Sequence, residues 1–155
     1  MPKFKKQLSE QIDKRLLALL KRDGRSTLEE LAHELSLSPS TVYNRIRGMQ
    51  KRGVIKGYTA ILDRNRAGLG TGAILLITID GQANVEKVSR ALCDVPEVEA
   101  VYEIGGEADI VVLVYANAIE DLRNLVNERI NSIPGVSNVT PLVILKTYKE
   151  NGILF

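Results

Sequence analysis

The stretch SLSPSTVYNRIRGMQKRG, residues 36–53, combines the start signals of a helix with a polar, cationic helix face. Ser38 can cap the helix N-terminus, and Pro39 suits the first helical position, where its missing N–H leaves no bond unmade. Gly53 follows the last cationic residue of the stretch and is typical of a helix end. A helix that only filled a core would not need this face, so the stretch predicts a binding helix.

Helical spacing divides this segment into two sides. Val42, Ile46 and Met49 fall on one side, where they can pack on other helices. The remaining positions carry hydroxyl, amide and guanidinium groups, which are the groups that contact base edges and phosphates of DNA. The residues predicted to contact DNA are Ser38, Ser40, Thr41, Asn44, Arg45, Arg47, Lys51 and Arg52, together with Arg25 upstream.

Two further helices are predicted before this segment. Apolar residues recur at helical spacing from Leu8 to Leu20, and a glycine soon afterwards ends that run. Two overlapping capping boxes, Ser26-x-x-Glu29 and Thr27-x-x-Glu30, start a second and shorter helix. A short helix, a tight turn and a helix with an exposed polar face form a helix-turn-helix, whose second helix enters the major groove of DNA. The glycine-flanked run GVIKGY after it predicts a short strand or wing.

The charges are distributed unequally along the chain. Residues 1–60 hold 13 Lys and Arg against 6 Asp and Glu, a net charge of +7. Residues 61–155 hold 8 against 13, a net charge of −5. A basic half joined to an acidic half indicates that the first half meets a polyanion and the second does something else.

Composition argues against several other classes of protein. No window approaches the roughly 18 apolar residues of a membrane span, and the first residues contain no apolar run that could be a signal peptide, so we expect a cytoplasmic protein. With Cys93 as the one cysteine and His33 as the one histidine, neither a disulfide nor a zinc site is expected. No nucleophile paired with a base is visible, so we expect no enzyme and no cofactor.

A glycine-rich linker at 61–72 separates a DNA-binding domain at 1–60 from a second domain at 73–155. Comparing the second domain with itself at an offset of 38 residues matches two similar units. Each unit has the pattern strand, helix, strand: 73–79, 84–94 and 98–104, then 109–116, 119–131 and 136–147. Two such units predict a βαββαβ ferredoxin-like sandwich, which makes the chain α+β.

The predicted strands are apolar on both sides. In DIVVLVY, residues 109–115, both alternate sets of side chains are apolar, although a sheet covered by helices on one side should alternate apolar with polar. Leaving such a face in water would forfeit about 1.5–3 kcal/mol per large side chain relative to burying it. A second copy is the simplest cover, and it predicts a symmetric homodimer with its two reading helices about 34 Å apart on a palindromic site.

Gly105-Gly106-Glu107-Ala108-Asp109 lies between the two units and has two interpretations. In the first, it is a tight hairpin turn in which the glycines adopt positive φ and the acids are simply exposed. In the second, the glycines let a small ligand approach the backbone, and Glu107 or Asp109 receives its ammonium group.

The order and spacing of several motifs resemble those of the leucine-responsive regulatory protein family (Lrp/AsnC, the feast/famine regulators). In the first half they are Ile12-Asp13, Asp23-Gly24-Arg25, Leu37-Ser38-Pro39-Ser40-Thr41-Val42-x-x-Arg45-Ile46 and Gly53-Val54-Ile55-x-Gly57-Tyr58. The second half is similar to the family's ligand-sensing (RAM) domain. The resemblance implies dimers that assemble into octamers or similar rings, with an amino acid effector bound between dimers. The implied effector-binding residues are Gly105, Gly106, Glu107, Asp109 and Thr140.

These observations predict a sequence-specific DNA-binding transcription regulator, modulated by an amino acid effector at the interfaces of its second domain. One alternative is an architectural protein that binds double-stranded DNA with little sequence preference and senses nothing. A sensing subunit attached to a biosynthetic enzyme is another, but it would leave the +7 half without a purpose.

Overall fold

The computed structural model describes residues 2–64 and 66–155, and in the first helix the side chains from Ser9 onward. The chain divides between Ile61 and Leu62 into two compact units, which are described separately. Asn65, inside the predicted linker, lies outside the described residues.

Three helices build the first unit: α1 at Pro2–Arg22, α2 at Leu28–Leu35 and α3 at Pro39–Lys51. Their buried residues meet in one apolar core, in which Leu16 and Val42 are fully enclosed and Met49 is 1% exposed. The predicted apolar side of α3 is therefore confirmed. Residues 53–61 form no strand, so the wing after α3 is present as irregular chain and the predicted short strand there was wrong.

Side-chain caps set the helix boundaries of this unit. The Thr27 hydroxyl accepts a bond from the Glu30 N–H at 3.2 Å, and the Glu30 carboxylate accepts one from the Thr27 N–H at 2.7 Å. Of the two overlapping capping boxes, this one starts α2, while the Ser26 hydroxyl donates to the Asp23 carbonyl instead. Ser38 caps α3 as predicted, because its hydroxyl accepts from the Thr41 N–H at 3.2 Å.

The second unit has the predicted ferredoxin-like topology. Its elements are β1 at Thr71–Ile79, α4 at Val85–Cys93, β2 at Val98–Glu103, β3 at Ile110–Ala116, α5 at Ile119–Asn124, a π-helical continuation at Leu125–Ile130 and β4 at Val136–Val143. The four strands form an antiparallel sheet in the order β2-β3-β1-β4. Both helices pack on the same side of the sheet, where Leu75, Ile77, Val112 and Val114 are fully buried against them.

Two parts of the second unit differ from the expected pattern. Residues 62–70 carry hydrogen-bonded turns, including Ala67 N–H to the Asp63 carbonyl, and belong to this unit. β4 ends at Val143 and not at residue 147 as predicted, and a small hairpin of β5 at Lys149–Glu150 and β6 at Ile153–Leu154 follows.

Candidate DNA interface and effector site

The outer side of α3 carries a strip of exposed polar side chains, here called the outer strip. Its members are Ser40, Tyr43, Asn44, Arg47 and Lys51. They recur every three or four residues along the helix, on the side opposite the core. Amide, guanidinium and ammonium groups in this spacing can contact base edges and phosphates along one groove of duplex DNA.

Hydroxyl groups cluster at the N-terminus of α3. The Ser38 hydroxyl lies 2.7 Å from the Thr41 hydroxyl and 3.0 Å from the Ser40 hydroxyl. These hydroxyls stand at the N-terminus of the helix, where the helix dipole favours an anion. The cluster is therefore chemically suited to a backbone phosphate.

Tyr43 belongs to the outer strip but was missed by sequence reasoning. Its ring is 45% exposed, and the guanidinium carbon of Arg47 lies 5.8 Å from the ring centroid. A cation over an aromatic face in this range is attracted to it, which limits the directions that Arg47 takes. The i, i+4 spacing of the two residues was the available signal.

Arg45 does not belong to the outer strip. Its Nη1 donates to Asp13 Oδ1 at 2.7 Å, and 22% of the Arg45 side chain is exposed. The guanidinium thus faces α1, and its charge is balanced inside the unit. A contact between Arg45 and DNA phosphate stays a prediction, and the Arg45 guanidinium is engaged here with α1.

Two other predicted cations, Arg25 and Arg52, are also exposed. Arg25 is exposed in the turn after α1, where its N–H donates to Asp23 Oδ1 at 2.8 Å. Arg52 follows α3 and is 61% exposed. Both guanidinium groups can be reached from outside, as a phosphate contact requires.

The turn at 104–109 joins β2 to β3 and contains four of the five predicted effector-binding residues. Gly105 and Gly106 do not adopt positive φ, and a Cβ atom built on either would meet nothing within 4 Å. The expectation that this turn needs left-handed glycines was therefore wrong. Neither backbone strain nor crowding inside the unit requires glycine at these two positions, so the open space above them is free for a group from outside.

The two acids of this turn have different environments. Asp109 Oδ2 accepts a bond from the Ile79 N–H at 2.9 Å, so this carboxylate ties the start of β3 to the end of β1. Glu107 is exposed, and its carboxylate makes no hydrogen bond to another described residue. Of the two, Glu107 is the group available to a ligand ammonium.

Thr140 lies on β4, opposite Leu76 of β1, and Leu76 in turn lies opposite Val111 of β3. Thr140 is thus two interstrand spacings, about 10 Å, from β3. Its side chain is on the uncovered side of the sheet, and its hydroxyl accepts from Asn138 Nδ2 at 3.3 Å. Within one unit, the structure does not bring Thr140 into contact with the turn.

The uncovered side of the sheet is largely apolar, as predicted. Register places Tyr102, Val111 and Leu76 in one row across the sheet and Leu113, Ile74 and Leu142 in the next. Ile74 is 36% exposed and Leu142 47%, while Ala73 and Leu75, the strand neighbours of Ile74 on the helix side, are fully buried. These two rows are called the open sheet face below.

A concavity of about 430 Å³ at one end of the sheet was not predicted. The Arg64 guanidinium carbon lies 3.6 Å from the centroid of the Tyr115 ring, and Arg64 Nη2 donates to Glu99 Oε2 at 2.9 Å. Burial, and after it the negative charge of Glu150, raises the pKa of Tyr115 above its usual value of 10.0. The C-terminal hairpin contributes Glu150 and Phe155 to this lining.

Two other observations bear on the class of protein. None of the helices in the described ranges is long and apolar enough to cross a membrane. Within residues 2–64 and 66–155, no group of three or more His, Cys, Asp and Glu side chains is arranged to hold a metal ion.

Two protein-family models match the chain. The winged helix-turn-helix DNA-binding model covers residues 9–56, and the Lrp/AsnC ligand binding domain model covers residues 72–154. The HTH-type transcriptional regulator FL11 of Pyrococcus horikoshii is 36% identical over 141 residues, which are 91% of this chain and 92% of that protein.

Solved structures resemble the chain over almost its whole length. A feast or famine regulatory protein from Mycobacterium tuberculosis complexed with L-methionine has a TM-score of 0.81 at 33% identity, covering 90% of this chain and 94% of that one. A transcriptional regulator from Neisseria meningitidis in complex with L-methionine has a TM-score of 0.78 at 25% identity, covering 90% and 91%.

Proposed function

This chain belongs to the Lrp/AsnC family of transcriptional regulators, and we propose that α3 reads a specific operator sequence while the second unit binds an amino acid effector. The observation that carries the first part is the outer strip, because it combines base-reading groups with an exposed helix face in the unit whose net charge is +7. Ser38, Ser40, Thr41, Arg25, Lys51 and Arg52 supply contacts to phosphate in this proposal.

Sequence discrimination is assigned to Asn44 and Arg47. Asn pairs with adenine and Arg with guanine in the major groove, each through two hydrogen bonds, whereas phosphate contacts carry no sequence information. The Tyr43 ring supports this assignment for Arg47, because it restricts the guanidinium to fewer directions before DNA arrives.

Dimerisation is assigned to the open sheet face. Its rows expose Tyr102, Ile74 and Leu142 on a surface that a second copy would bury. A two-fold axis through this face would present two α3 helices to a palindromic operator. We further propose that dimers assemble into an octamer or a similar ring.

The effector-binding site is assigned to the turn 104–109. In this proposal Glu107 binds the ammonium group of the effector, and Asp109 fixes the turn to the end of β1. The two relatives crystallised with L-methionine make an amino acid the ligand class to test first. Since β1 lies between Thr140 and the turn within one unit, Thr140 is assigned to the pocket of a neighbouring copy. A pocket built between copies would couple effector binding to assembly.

Selection from a random DNA pool tests the DNA-binding part directly. The protein is incubated with the pool with and without the twenty amino acids, bound sequences are recovered, and the particle mass is measured in both conditions. A palindromic consensus is expected. Binding without an enriched sequence would favour the architectural alternative, and no duplex binding at low salt would refute the proposal.

Gly106→Leu tests the effector part, because its side chain would project into the proposed pocket from a Cβ position that meets nothing within 4 Å in its own unit. Gly81→Leu is the matched control, since Gly81 has equally open surroundings elsewhere in the unit. Calorimetric titration with L-methionine and the other amino acids should show binding to the control and the parent but not to Gly106→Leu. Equal binding by all three proteins would show that the effector does not bind at this turn.

A further inference from the structure

Asp13 of α1 contacts two arginines of the DNA-binding unit at once. Its Oδ1 accepts from Arg45 Nη1 at 2.7 Å, and its Oδ2 accepts from Arg52 Nη2 at 3.4 Å. A carboxylate and a backbone phosphate are alternative partners for the same guanidinium group. Asp13 therefore stands where it can decide which arginine reaches DNA.

The Arg45 contact is close and enclosed. Arg45 Nη1 also donates to the Ser9 hydroxyl at 3.1 Å and to the Ser9 carbonyl at 3.4 Å. Its Nε is buried and has no hydrogen-bond partner among the described residues, so the side chain is surrounded on that side as well. Nη1 makes all three contacts to Ser9 and Asp13, so the guanidinium is held against α1 at this nitrogen.

The Arg52 contact is long and open. The side chain is 61% exposed, and the 3.4 Å separation is at the weak end of the hydrogen-bond range. Arg52 folds back over Gly48, where a Cβ atom would lie 3.3 Å from its Nη1. The absence of a side chain at position 48 thus makes room for the guanidinium beside Asp13.

We propose that Asp13 sorts these two arginines between two tasks. It holds Arg45 permanently as a brace between α1 and α3, and it holds Arg52 only until a DNA phosphate replaces the carboxylate. Asp13 and Arg45 are positioning residues, whereas Arg52 contacts the ligand. This inference rests on the proposed DNA binding of α3.

Salt dependence separates the two arginines. Each phosphate contact contributes about 0.9 to the slope of log affinity against log salt concentration for duplex DNA. Arg52→Gln is expected to lower that slope by about one contact and to leave the melting temperature unchanged. Arg45→Gln is expected to lower the melting temperature and to keep the slope. Ser9→Ala, which removes one bond of the brace, provides a milder variant if Arg45→Gln does not fold.

Neutralising Asp13 tests the sorting itself. Asp13→Asn is expected to bind random-sequence duplex about two- to fivefold more tightly, the range for opening one exposed ion pair. Glu34→Gln on α2 is the matched control, because it makes the same change in net charge at an exposed position. The concavities that Glu34 lines contain no residue of α3. Arg52→Gln should weaken binding more in the Asp13→Asn protein than in the parent, because Arg52 is then no longer held by the carboxylate.

Gly48→Ala provides the same test without altering the brace. Its methyl group would lie 3.3 Å from Arg52 Nη1 and crowd the guanidinium beside Asp13, so slightly tighter binding to random-sequence duplex is expected while the Asp13–Arg45 pair remains. These affinities and slopes are measured on the full-length protein by fluorescence anisotropy with labelled duplex between about 50 and 300 mM salt, a range in which the Debye length falls roughly 2.4-fold.

The outcomes distinguish this inference from the function on which it rests. If the parent protein does not bind duplex at low salt, the proposed function fails and the inference fails with it. If the parent binds but Arg45→Gln and Arg52→Gln lower the slope equally, or Arg52→Gln weakens binding equally in the parent and in Asp13→Asn, the sorting is refuted while DNA binding stands.

Discussion

Arg47 is the residue of the outer strip to which we assign most of the discrimination between operators. Replacing Arg47 with alanine is expected to cost roughly 1–3 kcal/mol at the preferred operator, because a bidentate contact to a base is lost. Binding to unrelated duplex should change much less. Affinities for the selected consensus and for a scrambled duplex, measured side by side, check this expectation.

Gln50→Ala is a suitable control for Arg47→Ala, since Gln50 is exposed on the same helix but lies outside the outer strip. It should leave the ratio of specific to nonspecific affinity unchanged. Equal ratios for Arg47→Ala and the parent would show that the guanidinium reads no base.

Glycines of the second unit provide a prediction about stability. Gly70 has φ +80°, and a Cβ atom there would collide with the backbone carbonyl oxygen of Ala116. Gly70→Ala is expected to destabilise the protein by more than the roughly 1–2 kcal/mol that left-handed backbone alone costs. Gly105→Ala, whose Cβ would meet nothing within 4 Å, should unfold at the same denaturant concentration as the parent. Equal urea midpoints for Gly70→Ala and the parent would contradict the close packing of Gly70 against the Ala116 carbonyl.

At the scale of elements, the N-terminus of α2 provides a matched pair of side chains. Thr27→Ala removes the hydroxyl that accepts from the Glu30 N–H, so a loss of about 0.5–2 kcal/mol is expected. Ser26→Ala removes a hydroxyl that only donates to the Asp23 carbonyl in a turn, and it should cost less. The stabilities of the two variants are compared by thermal unfolding. A larger loss of stability for Ser26→Ala would show that Thr27 is not the residue that caps α2.

Elements with a strong local pattern were predictable from the sequence. The apolar spacing of α3 and the capping signals at Ser38 and Pro39 are properties of neighbouring residues, so they predict that helix directly. The C-terminal hairpin carried an equally local signal that was overlooked. Asn151 and Gly152 both adopt positive φ, at 49° and 92°, as the two central residues of a tight hairpin turn require.

Contacts between distant parts of the chain were less predictable. Helical spacing alone places Arg45 beside the outer strip, and its direction was decided by Asp13, which lies 32 residues earlier. In the same way, Arg64 was assigned to a flexible linker, yet it stacks on Tyr115 of a distant strand. Such pairings depend on the tertiary fold, about which a local pattern contains little information.

The surfaces of the two units differ in their chemistry. The first unit carries a net charge of +7 over residues 1–60 and presents polar groups to a partner. The second exposes an apolar sheet side that its own helices do not cover, with Tyr102 59% exposed. The repeat of two strand-helix-strand units predicted this sheet, but only the register showed which side chains share the open side.

The open sheet face therefore yields the prediction with the widest consequence. Leu113 lies near its middle, opposite Ile74, and is partly exposed in the single chain. In a symmetric dimer, Leu113→Asp would remove two buried leucines, so the dimer dissociation constant is expected to rise roughly 100-fold or more. Sedimentation of the parent should show dimers or larger particles, and that of the variant monomers with the same secondary structure.

Asn127→Asp introduces the same charge on the helix side of the unit and should leave the mass unchanged. Loss of the dimer should also weaken binding to a palindromic duplex far more than binding to a single half-site, because the two α3 helices would no longer be linked. A parent protein that sediments as a monomer, or a Leu113→Asp variant with the parent's mass, would show that a second copy does not cover this sheet.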